Sequence, residues 1–478
     1  MNWKYLLNSD RFSGSFQDSD LSSDYKRIIT SPAFRRLQDK TQVFPLNRGD
    51  FVRTRLTHSL EVAAIAKTIA YKVSNDKKRL SDDDKEQWQS NLLDIQTVLE
   101  CAALLHDIGN PPFGHFGETV IRSWFKDNID KDNIDKDNID KDNIDKDNID
   151  KDNMQLCNLD IRLSSQQLND FLQFEGNAQA LRIITKLHQF STGKDGMNLS
   201  YATLNTIIKY TRHSNELSDG KIVNKKVGYF YSEKDTFDKI TSNTHCKKNR
   251  HPLTFILEAA DDIAYLTADI EDAIKKDIVK YEDFEEYLNN FIKQDTEYSR
   301  AYQDNQAYTK VYKDIQECKE DCHLFLTIRN KLIWCAASQF AYRYNQIMQG
   351  EYDADLFKGS FVEKLHKSLQ DFCVNNIFNH RSILELEVAG HTTLSFLLDK
   401  FVPAAINFAD GQGKCSDALS KRLIGLISES QLGVCKAAIN ANPQDAHYYA
   451  LLMVTDFISG MTDGYATDLY KKLSGIQV

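Results

Sequence analysis

The chain has 478 residues, 41% of them hydrophobic and 27% charged, and its 59 Lys and Arg face 69 Asp and Glu for a formal charge of −10. This composition excludes a disordered tail, and the lack of any apolar run near the roughly 20 residues of a spanning helix excludes a membrane bundle. The acidic balance argues, on its face, against a protein dedicated to coating nucleic acid or an anionic membrane.

Nine cysteines, scattered from Cys101 to Cys435, show no disulfide-scaffold spacing and suit a reducing compartment. Residues Met1 to Asp10 lack the hydrophobic stretch of a secretory signal, so the cytoplasm is the expected location. Cys318, Cys322 and His323 cluster in a charged segment with no second ligand pair, which disfavours structural zinc. Seven Pro and 20 Gly are few helix breakers for this length, and an all-α fold is expected.

In chain order, His58, Val62, Ile65, Ile69 and Val73 recur at helical steps, placing the histidine on a buried face. Ile95, Leu99, Ala102 and His106 repeat the pattern on a helix that should stop by Gly109, Pro111 and Pro112, with Asp107 directly after the histidine. Then come five tandem copies of KDNID from Lys126 to Asp150 and a partial copy ending at Asn153. With one isoleucine per unit, the tract is read as a solvated insertion, helical or not, at 126–153. Each unit carries one Lys against two Asp, so the five copies supply half of the −10, and the rest of the chain remains compatible with a polyanionic ligand. Asp219 to Asn249 reads as a second irregular excursion. Leu257, Asp261, Ala264 and Ala268 share a third helical face, with Tyr265 and Asp269 stacked beyond Asp261 along one edge. Asp262 points about 100° away from its neighbour and is left out of the ligand set.

A lone histidine on an apolar face is usually a core residue. Two histidines and two carboxylates on three apolar helices form a donor set that suits a divalent first-row metal, although an internal His–Asp hydrogen-bond network without metal uses the same residues. Periodicity does not separate the two.

The motifs carrying these residues are RRLQDKTQVFPL (Arg35 to Leu46), VRTRLTHSLEV (Val52 to Val62), LLHDIGNPPFGHFGE (Leu104 to Glu118), FEGNAQ (Phe174 to Gln179), EAADDIAYLTADIEDA (Glu258 to Ala273), LEVAG (Leu386 to Gly390) and ISGMTD (Ile458 to Asp463). Together they resemble the longer class of bacterial deoxyguanosinetriphosphate triphosphohydrolases, in the HD-domain superfamily. The resemblance runs from about Asp24 to Tyr470, outside the repeat and the Asp219–Asn249 excursion. It implies an HD helical core over 1–280 and a C-terminal helical portion over 281–478, packed as one unit. It also implies hydrolysis of dGTP to deoxyguanosine and tripolyphosphate by attack at the α-phosphorus, controlling deoxynucleotide pools.

The resemblance assigns His58, His106, Asp107 and Asp261 to a divalent metal, Mn²⁺ or Mg²⁺ before other first-row ions, acting as a Lewis acid on the α-phosphate. It assigns His115 to protonation of the leaving sugar oxygen and Glu118 to orienting His115. Arg55 is expected on phosphate oxygens, Gln42 on the 3′-hydroxyl, Tyr265 stacked on the sugar to exclude a 2′-hydroxyl, Asp269 near the 3′-hydroxyl, and Asn177 along the pocket. Family members form homo-oligomers, commonly hexamers, and some bind single-stranded DNA; both are carried over as expectations. Gly464, just after ISGMTD, departs from the larger and often basic residue of relatives. A broader deoxynucleotide triphosphohydrolase, an HD phosphodiesterase with another phosphoester substrate, and a catalytically silent nucleotide or single-stranded-DNA regulator are the alternatives.

Overall fold

A computed structural model describes residues 1–13, 20–44, 52–76, 78–130, 152–188, 196–298, 306–318 and 321–476. The three apolar stripes are helices: α1 (Arg55–Ser74), α2 (Leu92–Leu105) and, further along, Pro252–Lys275. Thr54 and Thr57 close a reciprocal capping box that starts α1. Val62, Ile69 and Val73 have no exposed surface, nor do Ile95, Leu99 and Ala102. Buried at this density, the stripes stabilise the packing of α1 on α2 far more than helix propensity does.

Helix α3 (Gly114–Asn128) follows the Asp107–Phe113 turn and runs into a three-stranded antiparallel sheet: β1 (Ile129–Asp130), β2 (Asp152–Leu156) and β3 (Leu159–Leu163). These strands depart from the all-helical expectation locally, within a fold that is all-α overall. Leu156, Ile161 and Leu163 bury against the helices, so a short apolar edge beside the repeat pairs as strand. Ile129 pairs with Leu156, so the end of the first repeat copy lies antiparallel to the segment just after the repeat. Residues 131–151, most of the KDNID tract, lie outside the described residues.

Next come α4 (Gly176–Arg182) and α5 (Lys234–Asn243). The latter corrects the irregular reading of Asp219–Asn249: Phe237, Ile240 and Thr241 form a short buried stripe that the surrounding Lys and Ser obscured. Helix α6 (Pro252–Lys275) packs on α1 and α2, and the long α7 (Asp321–Gln349) lies against α1 and α6. Then follow α8 (Glu363–Phe372), α9 (Arg381–Asp410), α10 (Glu429–Ala441), α11 (Ala446–Ser459) and α12 (Asp463–Leu473).

Two apolar clusters result. One is built on α1, α2, α6 and α7, the other on α3, α9 and α11, and each draws residues from both sides of position 280. The loop after α2 bridges them, with Ile108 in the first cluster and Phe113 in the second. No helix among the described residues is long and apolar enough to cross a membrane. The described cysteines are all free thiols.

Candidate metal centre and active site

The first turn of α1, the end of α2 and the middle of α6 converge on one point. His58 Nε2 lies 3.0 Å from Asp261 Oδ1, and His106 Nε2 lies 3.5 Å from the same oxygen and 3.6 Å from Asp107 Oδ2. One ligand atom each from His58, His106 and Asp261 falls within 4.8 Å of the others, the spacing of a shared cation. His106 Nδ1 donates to the Ala103 carbonyl at 2.7 Å, which leaves Nε2 buried without a hydrogen-bond partner and turned toward the carboxylates. An orphaned imidazole nitrogen beside two carboxylates fits a divalent metal better than a closed hydrogen-bond network.

The charges agree. Burial alone would lower the His106 pKa, but Asp107 and Asp261 override it and raise it to about 9. Burial would lift Asp261, yet His106 and His58 hold it well below the usual carboxylate range. Without metal the site therefore takes up a proton, and a cation would take that proton's place.

Asp107 stands at the edge of this group. Its Oδ2 accepts from Arg55 Nη1 at 2.6 Å and its Oδ1 from Asn110 Nδ2 at 2.6 Å. Arg55, expected on phosphate, thus gives one arm to Asp107. The turn geometry permits this: Gly114 has φ 60°, and a Cβ there would collide with Arg55 Nη2. Gly176 plays a similar part, since a Cβ would strike Asn110 Oδ1 and lie 2.6 Å from Glu118 Oε1.

Glu118 is buried on α3. Its Oε1 accepts from the Gly176 amide at 2.9 Å and its Oε2 faces His115 Nδ1 at 3.2 Å. The His115 side chain is 74% exposed, so its Nε2 edge is free to meet a ligand. The Glu118 hydrogen bond is the main cause that raises the His115 pKa, while the histidine in turn outweighs burial and lowers Glu118.

A cavity of about 160 Å³ is lined by His106, Asp107 and Asp261 together with His115, Asn177 and Lys226. Lys209 and Tyr210 line it as well. Lys209 pairs with Glu258 at 3.2 Å, Lys226 with Glu175 at 3.1 Å, and Asn177 Nδ2 donates to Glu175 at 2.8 Å. Sequence reasoning missed Lys209, Tyr210 and Lys226; Lys226 lies inside the supposed excursion, and only a cation outside any motif marked it.

Gln42, Tyr265 and Asp269, expected at the sugar, do not line this cavity. Gln42 Oε1 is buried with no partner. Tyr265 Oη accepts from Gln370 Nε2 of α8 at 3.2 Å. Asp269 is buried, and burial, with Asp272 adding to it, keeps its carboxyl pKa well above the usual range. Asp262 faces His366 at 3.6 Å, on a different side from the ligand group.

An HD-domain family model matches residues 55–141. A deoxyguanosinetriphosphate triphosphohydrolase-like protein of Listeria monocytogenes serovar 1/2a is 39% identical over the whole of both chains. A deoxyguanosinetriphosphate triphosphohydrolase of Salmonella typhimurium is 32% identical, covering 95% of this chain and 93% of its own. One of Enterobacter sp. strain 638 is 31% identical over all of this chain and 98% of its own.

Proposed function

Since the chain belongs to the deoxyguanosinetriphosphate triphosphohydrolase family of HD-domain enzymes, we propose that it hydrolyses dGTP to deoxyguanosine and tripolyphosphate and so limits the dGTP pool. The observation that carries this reading is one cavity lined by His106 and Asp261 of the His58/His106/Asp261 ligand group, by His115 of the His115–Glu118 pair and by two lysines.

His58, His106 and Asp261, with Asp107 alongside, would hold Mn²⁺ or Mg²⁺. When bound, such an ion supplies Lewis acidity at the α-phosphate and makes a water more nucleophilic. The protein supplies the rest. Lys209, Lys226, Tyr210 and Asn177 receive the triphosphate, each lysine already held by a carboxylate and so oriented before substrate arrives. Arg55 fixes Asp107 and neutralises it in part.

The water oxygen forms a bond to the α-phosphorus and gives up a proton to solvent as the bond from that phosphorus to the sugar O5′ breaks. A proton held on His115 passes to O5′ and deoxyguanosine leaves as a neutral alcohol. Glu118, anchored by the Gly176 amide, keeps Nδ1 protonated and directs the transferable proton to Nε2. Gln42, Tyr265 and Asp269 form the sugar end of the reading. Gln42 and Asp269 bond near the 3′-hydroxyl, and Tyr265 closes the space a 2′-hydroxyl would need.

Tripolyphosphate release from dGTP, dATP, dCTP, dTTP and GTP by metal-loaded protein tests this. A preference for dGTP is expected. Equal rates on all four deoxynucleotides would replace it with a broad-specificity enzyme.

A further inference from the structure

Helix α8 meets the face of α6 that carries Tyr265, and it does so at two successive turns. His366 faces Asp262 at 3.6 Å, and one turn later Gln370 Nε2 donates to Tyr265 Oη at 3.2 Å. A step of four residues on α8 against three on α6 keeps one face of each helix turned to the other. Past Phe372 the helix widens into a π-turn, Cys373–Phe378, which also packs on α6. Cys373 is buried there, close enough to Asp269 for that carboxylate to add to burial in raising its thiol pKa.

Gln370 is presented from an anchored helix. Leu365, Leu369 and Phe372 of α8 are buried, and the His366 ring stacks on the buried Phe357 ring with centroids 4.4 Å apart. Gln370 itself is half-buried, so α8 does not depend on it for its core contacts.

Tyr265 stands between Asp261, one turn before it on α6, and Asp269, one turn after. Its ring pivots at the helix, and a bond at the hydroxyl, the far end of that lever, fixes the ring most effectively. Among the described residues the Gln370 amide is the only hydrogen-bond partner of this hydroxyl. A steric wall is as selective as it is stiff. A phenol free to swing yields to an added hydroxyl group, whereas one tied at both ends does not.

We propose that Gln370 is a positioning residue for substrate selection: its bond to Tyr265 Oη holds the phenol where it closes the space of a ribonucleotide's 2′-hydroxyl. The inference rests on the proposed placement of Tyr265 at the sugar, and it brings a residue of the C-terminal portion into the choice between deoxyribose and ribose. A deoxynucleotide and its ribonucleotide share base and triphosphate, so the ratio of their kcat/KM values reads the sugar wall alone.

The test is the ratio of kcat/KM for dGTP over GTP, and for dATP over ATP, on the full metal-loaded chain. Gln370→Met keeps the length of the side chain without the hydrogen bond. It should lower both ratios by about two- to tenfold, the span of one neutral hydrogen bond, chiefly through faster ribonucleotide turnover. Gln370→Glu restores a partner, because the tyrosine hydroxyl then donates to the carboxylate, and should recover most of each ratio even where its charge slows both substrates. Ser368→Ala removes the 3.1 Å bond from Ser368 Oγ to Tyr287 Oη on the same helix and should leave the ratios as they are. Unchanged ratios in Gln370→Met, or an equal fall in Ser368→Ala, would overturn the proposal. Because two bases are compared, a missing preference for dGTP over dATP bears on the base and not on these ratios. Equal rates for dGTP and GTP in the parent protein would remove Tyr265 from the sugar and overturn the role of Gln370 with it.

Discussion

Replacing Glu118 with Gln separates the orienting role of this residue from its bulk. The amide keeps the volume and, through its oxygen, the bond from the Gly176 N–H now made to Oε1 at 2.9 Å. Its NH₂ then faces His115 Nδ1 at the position of the present 3.2 Å contact, where a donor meets a donor once the imidazole is protonated. The charged form of His115 thereby loses a charge-assisted hydrogen bond worth about 1.5–3 kcal/mol. Because the His115 side chain is 74% exposed, solvent screening favours the lower end, and about 1.5 kcal/mol corresponds to about one pH unit. In the parent enzyme the raised pKa keeps the acid protonated above the ordinary imidazole range, so activity should decline on the alkaline side as His115 loses its proton. The kcat–pH profile of Glu118→Gln, measured with saturating metal and dGTP, should therefore show its alkaline limb about one unit lower. The plateau at acidic pH should fall less. An alkaline limb that stays in place while the plateau drops would refute the coupling of Glu118 to His115 and leave it a packing residue.

Asp261→Asn removes the anionic oxygen that faces both His58 and His106. Metal affinity, read by calorimetry, should fall by more than about a hundredfold, since even outer partners of metal ligands are worth about ten- to a hundredfold. Asp262→Asn, facing His366, should retain the metal, and equal losses in the two variants would refute the ligand set. Gly114→Ala puts a Cβ at φ 60° and into the space of Arg55 Nη2, so stability should fall by about 1–2 kcal/mol in denaturant titration, with a parallel loss of kcat/KM; unchanged activity would separate Arg55 from the site. His251 is buried at the start of α6 as the neutral imidazole, donating Nε2 to the Leu6 carbonyl and accepting the Leu253 N–H at Nδ1. Burial depresses its pKa from 6.5 to about 4. The folded state thus binds fewer protons than the unfolded one between these values. The resulting stability, on the order of 3 kcal/mol, is present above pH 6.5 and lost as pH falls toward 4. His251→Asn, which keeps a cap, should flatten that acid limb of the stability curve; an unchanged slope would refute the assignment.

The stripes through His58, His106 and Asp261 were legible because ligands on buried helices inherit the apolar period around them. A side chain at the end of such a stripe is aimed inward by its neighbours. The cavity wall follows no such period. Lys209 and Tyr210 follow the short helix Tyr201–Thr206, and Lys226 sits between one-turn elements, with both lysines held by carboxylates distant in sequence. Their positions depend on packing between segments, which leaves no local pattern in the chain. The strands beside the repeat were hidden for a related reason: β2 begins inside the partial KDNID copy, whose polar composition masks the pairing supplied by Leu159–Leu163.

The RRLQDK motif illustrates the limit from the other side. Lys40 and Gln42 are two residues apart, and between them Thr41 forms a single bridge with Thr54. Lys40 lines the cavity of Arg36, Gly460 and Thr462, and Gln42, two residues on, does not. Lys40 donates to the Asn110 carbonyl and the Asn110 side chain holds Asp107, so this buried lysine is tied to the turn that carries a proposed metal ligand.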